Sequence, residues 1–131
     1  MSLRRQPQQQ RSQERLDRIL EAAAEVFWEV GYEAATTHAI AAKANTAVGA
    51  IYRFFPDKLA IFHALEKQHY DRLAGIQSGL LSAQFINRPL RVLIRDIVET
   101  FAQYFQDPAP RVVYIQYFVN PDMFVYFDAE Y

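Results

Sequence analysis

The chain has 131 residues, 51% of them hydrophobic and 22% charged, with a formal net charge of −1; this is the composition of a globular protein, long enough for one domain or for a small domain joined to part of a second. It holds no cysteine, which excludes disulfide frameworks, thiolate metal sites and cysteine nucleophiles. The opening residues MSLRRQPQQQRSQER lack the apolar core of a signal peptide and no run of about eighteen apolar residues follows, so the expectation is a soluble, cytoplasmic protein with no membrane partner.

Residues 1–11 are rich in Gln and Arg around Pro7 and read as a flexible arm. Residues 1–18 carry five arginines against Glu14 and Asp17, whereas residues 59–131 carry six basic and eight acidic groups. The front of the chain therefore has the sign suited to a polyanion. From Gln13 the pattern turns helical: Leu16, Ile19, Leu20, Ala23, Val26, Phe27 and Val30 recur at steps of three and four, and Gly31 stands where a helix-ending glycine belongs.

Thr36 offers an N-cap for a short helix over about Thr37 to Ala44, with Ile40 and Ala41 inward. Asn45 follows, the residue other than glycine that best tolerates a left-handed turn. A second short helix spans about Ala47 to Phe54 with Ile51, Phe54 and Phe55, and Pro56 and Asp57 close it. Asp57 caps a long helix through Leu59, Phe62, Leu65, His69, Leu73 and Ile76 toward Ser82. Two short helices joined by a tight turn make a helix-turn-helix.

Asn87, Arg88 and Pro89 break the chain again, and Leu90, Leu93, Ile94, Ile97, Val98, Phe101, Ala102 and Phe105 trace an amphipathic helix to about Gln106. The sequence DPAP at 107–110 is a further break. Arg111 to Val119 is short and almost wholly apolar, with strand-favouring Val112, Val113, Tyr114, Ile115 and Phe118. It is read as helix because nothing else in the chain offers a strand partner. Asn120, Pro121 and Asp122 begin another helix.

The stretch Ile19 to Leu65 carries the functional signal. A helix ending in Phe27 and Gly31-Tyr32, then Thr36, Ile40-Ala41, Ala44, Gly49, Ile51-Tyr52, Phe55 and Lys58, in this order and spacing, resembles the DNA-binding domain of the TetR family of bacterial transcriptional regulators. The resemblance implies an all-α protein: a three-helix DNA-binding domain with a helix-turn-helix over 12–58, followed over 59–131 by a helical ligand-binding and dimerisation domain. Independently of it, Ala41, Ala44, Gly49 and Ala50 are small enough for close helix approach, and Phe27, Ile40, Ile51 and Phe55 can form the small core that sets the angle. The recognition helix would then enter a major groove, which admits an α-helix.

The resemblance implies that Tyr52 and Lys58 bind backbone phosphates. Thr36 and Thr37 sit where hydroxyls at a helix start can hold another, although Thr36 has a capping role as well. Base reading falls to His38 and to Thr46, Ala47, Val48 and Ala50. Here the chain departs from the family's common Ala-Gly-Val-Ser-x-Gly-Thr-Leu-Tyr, reading Ala44-Asn45-Thr46-Ala47-Val48-Gly49-Ala50-Ile51-Tyr52. The usual Ser cap is Ala47, and no arginine precedes Arg53, so Val48 and Ala50 are expected to read thymine methyls. Arg4, Arg5 and Arg11 are the candidates for a minor-groove arm.

His63, Glu66 and His69 stand three apart, not in the four-residue pairing of zinc-binding helices, and no metal or cofactor is expected. The chain has no phosphate-binding glycine loop, no nucleophile elbow and no paired-carboxylate pattern, so an enzyme is not expected. Of nineteen aromatic residues, ten lie in 101–131. Phe101, Tyr104, Phe105, Tyr114, Tyr117 and Phe118 could line an apolar pocket whose phenols orient an apolar or aromatic effector. The expected function is a ligand-responsive repressor, a homodimer on a pseudo-palindromic DNA operator; the alternative is a helical adaptor or apolar-ligand carrier that does not bind DNA. The aromatic end without a polar tail reads as the interior of a larger domain, and the regulatory half is expected to be truncated at its C-terminus.

Overall fold

The computed structural model describes residues 2–123. In chain order these form α1 (Ser2–Val30), α2 (Thr37–Lys43), α3 (Val48–Phe54), α4 (Lys58–Leu80), α5 (Ala83–Ile86), α6 (Leu90–Tyr104) and α7 (Pro108–Val119), then a 3-10 turn Pro121–Met123. The all-α expectation holds: among the described residues there is no strand. The chain divides into two compact units, Met1–Ala64 and Leu65–Tyr131, and the division falls inside α4.

In the first unit α1 packs on α2 and α2 on α3. The apolar stripe predicted for α1 is its core face, with Ile19, Leu20, Ala23, Val26 and Phe27 all buried. Ile40, Ala41, Ala44, Ile51, Phe55, Ile61 and Phe62 complete the same core. At about 1.5–3 kcal/mol for each large apolar side chain removed from water, this cluster is what holds the two short helices together. Isolated seven-residue helices would not form by propensity alone.

The junctions follow the local chemistry. Gly31 has φ +83° and ends α1 with its amide on the Phe27 carbonyl at 2.9 Å. Asn45 takes φ +54° between α2 and α3, the left-handed turn its short side chain tolerates. The Thr36 hydroxyl accepts from the Ala39 amide at 3.0 Å and caps α2, and Asp57 Oδ1 accepts from the Ala60 amide at 2.9 Å and caps α4. Ala47, at the N-cap of α3, provides no side-chain cap.

Several boundaries differ from the sequence expectation. Residues 2–11, read as an arm, continue α1 as helix. Gln and Arg are good helix formers, and Gln10 donates to Glu14 while Gln13 donates to Asp17 at 2.9 Å, so an exposed helix is supported without any apolar stripe. The short α5 was not expected. It is started by Ser82, whose hydroxyl accepts from the Phe85 amide. The break at 107–110 is instead the first turn of α7, because Pro108 occupies a helical position whose missing N–H costs nothing.

In the second unit α7 is confirmed as helix, burying Pro110, Val112, Val113 and Gln116. The amphipathic α6 buries none of its residues. The aromatic residues from Phe124 to Tyr131 lie outside the described residues. No helix of the described chain is long and apolar enough to cross a membrane.

Candidate nucleic-acid interface

The helix-turn-helix exposes one face of α3. Ile51 and Phe55 point into the core, so the side chains roughly opposite them, Gly49 and Arg53, face solvent, with Tyr52 beside them. Tyr52 and Arg53 are exposed, and Val48 and Ala50 are half-buried on the flanks. Of the residues expected to read bases, His38 and Ala47 are exposed and Thr46 is half-buried.

Two of the expected phosphate ligands come together. The hydroxyls of Thr37, at the start of α2, and Tyr52, in α3, lie 2.9 Å apart. One donates to the other, which leaves one O–H and several lone pairs free at an exposed edge. The pairing crosses from one short helix to the other and aims both groups outward. Thr36, next to it, is exposed and uses its oxygen as the α2 cap, so its O–H remains available as a donor.

Lys58 is placed differently. Its ammonium donates to the carbonyls of Tyr32 at 2.8 Å, Glu33 at 2.9 Å and Ala35 at 3.2 Å. It also lies 4.5 Å from the centroid of the Tyr32 ring. All three of its donors are engaged within the protein. Tyr32 in turn packs on Phe27 and Phe62, with centroids 5.4 and 5.7 Å away, and burial together with the nearby carboxylates of Glu33 and Asp57 raises its phenol pKa.

Two expectations need correction. A Cβ built at Gly49 would meet nothing within 4 Å, so this glycine is not required for close packing of the short helices; it leaves open space on the outward face. The side chains of Arg4 and Arg5 lie outside the described residues, while Arg11 is exposed on α1. As part of an α-helix about 10–12 Å across, the arm is too wide for a minor groove of about 6 Å, so a minor-groove role for Arg4, Arg5 and Arg11 is not carried forward. Arg53, passed over in the base-reading set, is the exposed cation of α3. Its signal was the spacing of four from Gly49, one helical turn along the outward face.

Opposite signs frame this surface. Lys43, in the last turn of α2, pairs with Glu29 at 2.9 Å and Glu25 at 3.5 Å on α1, and the Glu29 hydrogen bond leads the causes that raise its pKa. Exposed pairs of this kind contribute little to stability. They do remove one positive charge from the set free to meet phosphate.

In the second unit the aromatic residues expected to line a pocket form a ladder. Tyr104 and Phe105 are 5.1 Å apart, Phe105 and Tyr114 5.5 Å, Tyr114 and Phe118 5.2 Å, and Tyr117 and Phe118 5.6 Å, all edge-on. Tyr114, Tyr117 and Phe118 are exposed and Phe101 is half-buried. At the inner end the Tyr104 hydroxyl bonds Nδ1 of buried His69, and the rings stack at 5.5 Å. Burial lowers the His69 pKa, with Arg72 acting in the same sense, and burial raises that of Tyr104. Glu66 is fully buried on the same stretch of α4.

Residues 19–65 match the family described as bacterial regulatory proteins, tetR family. Over 60 residues the chain is 37% identical to the HTH-type transcriptional repressor KstR of Mycolicibacterium smegmatis, covering 46% of this chain and 29% of that protein. Over 93 residues it is 33% identical to the HTH-type transcriptional activator FasR of the same organism, covering 71% of this chain and 41% of that one. The chain thus spans less than half the length of these curated relatives. A crystal structure of a gamma-butyrolactone receptor, described as an ArpA-like protein, superposes with a TM-score of 0.68 at 24% identity, over 79% of this chain and 51% of its own, and shares the fold.

Proposed function

Residues 19–65 place this chain in the tetR family of bacterial regulatory proteins, and on that premise we propose that it is a DNA-binding transcriptional regulator. It works as a homodimer, with the α3 helices of two copies in successive major grooves of a pseudo-palindromic operator, about 34–36 Å apart. The observation that carries this reading is the exposed Thr37–Tyr52 hydroxyl pair, 2.9 Å across, at the edge of the helix-turn-helix. Paired hydroxyls aimed at solvent from two helices suit a phosphate oxygen, which accepts hydrogen bonds and fixes register without reading sequence. Beside them, Arg53 and the space over Gly49 let the outward face of α3 come close to base edges, and Val48 and Ala50 offer apolar contact to thymine methyls.

The second unit answers a small apolar or aromatic molecule. The support is the aromatic ladder from Tyr104 to Phe118 with the His69–Tyr104 pair at its inner end, a mostly apolar surface with one oriented polar group. Release from DNA requires that the effector bind one arrangement of the dimer better than the other. The reading is that of a repressor, and relatives of both signs exist, since KstR is named a repressor and FasR an activator.

The test is binding to DNA taken from upstream of the protein's own gene, titrated across salt and repeated with cell extract. Expected is an affinity that falls steeply and log-linearly with salt and is reduced by extract. Tighter binding with extract would turn the repressor into an activator. An affinity for DNA without salt dependence would favour the helical adaptor or apolar-ligand carrier instead.

A further inference from the structure

We propose that Lys58 is a positioning residue: it fastens the first turn of α4 to the 31–35 turn and so sets the placement of the Thr37–Tyr52 pair, rather than binding a phosphate itself. An ammonium has three N–H donors. Here the three find the carbonyls of Tyr32, Glu33 and Ala35 at 2.8, 2.9 and 3.2 Å, and the Tyr32 ring lies against the same group at 4.5 Å. A phosphate oxygen could be served only by giving up one of these bonds.

What the lysine holds is informative. Ala35 is the residue before Thr36, which caps α2, and Thr37 follows with its hydroxyl on Tyr52 of α3. The ammonium therefore touches the backbone one residue ahead of the helix that carries the phosphate-facing pair. At the other end Lys58 opens α4, whose first turn is held by Asp57 and whose Phe62 packs on Tyr32. A shift of the start of α4 moves the Ala35 carbonyl through a single charged group. Arginine is not equivalent, because a planar guanidinium cannot direct three donors to three carbonyls that converge on a point.

This inference rests on the DNA-binding reading, and the test separates the two. DNA affinity of Lys58→Met and Lys58→Arg is measured against salt, well below the unfolding temperature. A positioning role predicts for both variants a parallel loss of about tenfold with the salt slope unchanged, since misplaced hydroxyls weaken binding without removing a charge contact. Loss of about 0.9 from the slope in Lys58→Met, with Lys58→Arg restored to wild-type affinity, identifies a phosphate ligand and overturns the proposal. Wild-type affinity in both variants makes the lysine a purely structural brace and overturns it equally. If Lys58→Met does not fold, Lys58→Arg decides alone, because a phosphate contact survives that exchange and the carbonyl cage does not. A wild-type protein that binds no DNA refutes the function proposed above; the lysine is then read from the nitrogen-resolved spectrum of its ammonium, where slow proton exchange supports the cage and rapid exchange overturns it.

Discussion

The two units solve the problem of burying helices differently. In the first, α1 to α3 and the start of α4 enclose Ile19, Ile40, Ile51 and Phe62, each with no exposed surface. In the second, α6 is amphipathic yet buries no residue, with Leu90 at 70%, Ile94 at 52% and Val98 at 60% exposure, and α7 leaves Phe118 at 69%. The first unit draws its stability from its own core. The outer helices of the second present apolar faces that the described residues do not cover, which is the condition under which a helix looks for a neighbour.

The strongest test of this contrast is a pair of truncations. Ile51→Ala should cost about 2–5 kcal/mol in urea unfolding, the range for a large side chain deleted from a packed core. Ile94→Ala should stay within about 0.5 kcal/mol, as for surface substitutions. Comparable losses at both positions would mean that the α6 face is covered in solution, and would break the comparison.

A smaller effect sharpens it at the interface. Gly49→Ala meets open space, so it should stabilise the first unit by about 0.5–1 kcal/mol through helix propensity while weakening operator binding. Greater stability with unchanged DNA affinity would show that nothing approaches that face closely.

The smallest expected effect belongs to the second unit. His69 is held below its ordinary pKa of 6.5 by burial and by Arg72. As pH falls through about 6.5 the unfolded chain takes up a proton that the folded one refuses, so stability should decline until pH reaches the folded value, and it should be fully present above 6.5. The urea midpoint of wild type should therefore drop more between pH 7.5 and 5.5 than that of His69→Gln. Equal drops would show that this histidine does not set the pH response.

The same division governs how much could be read in advance. In the first unit the apolar steps of α1, the stop at Gly31, the turn at Asn45 and the caps Thr36 and Asp57 were all legible, because each depends on residues within one helical turn. The extension of α1 to Ser2 was not, since it rests on exposed glutamines and arginines that leave no apolar period. The start of α7 at Pro108 was hidden by proline's double use as breaker and as first-turn residue. For the site, Thr37 and Tyr52 were each expected as phosphate ligands, but their mutual bond spans 15 positions and nothing local announces it. Gly49 showed the reverse: a small residue was read as packing where the structure leaves empty space.

From the sequence alone came the all-α class, the helix-turn-helix at its place in the chain and the family resemblance of residues 19–65, because periodicity, caps and turn residues act over a few positions and leave their mark in the order of side chains. The tertiary structure decided what those side chains are for. Lys58 reads as a free cation in any linear view. It becomes a cage-bound one only when folding brings it to backbone carbonyls 23 to 26 residues away, and backbone groups, being the same in every residue, leave no trace in a sequence.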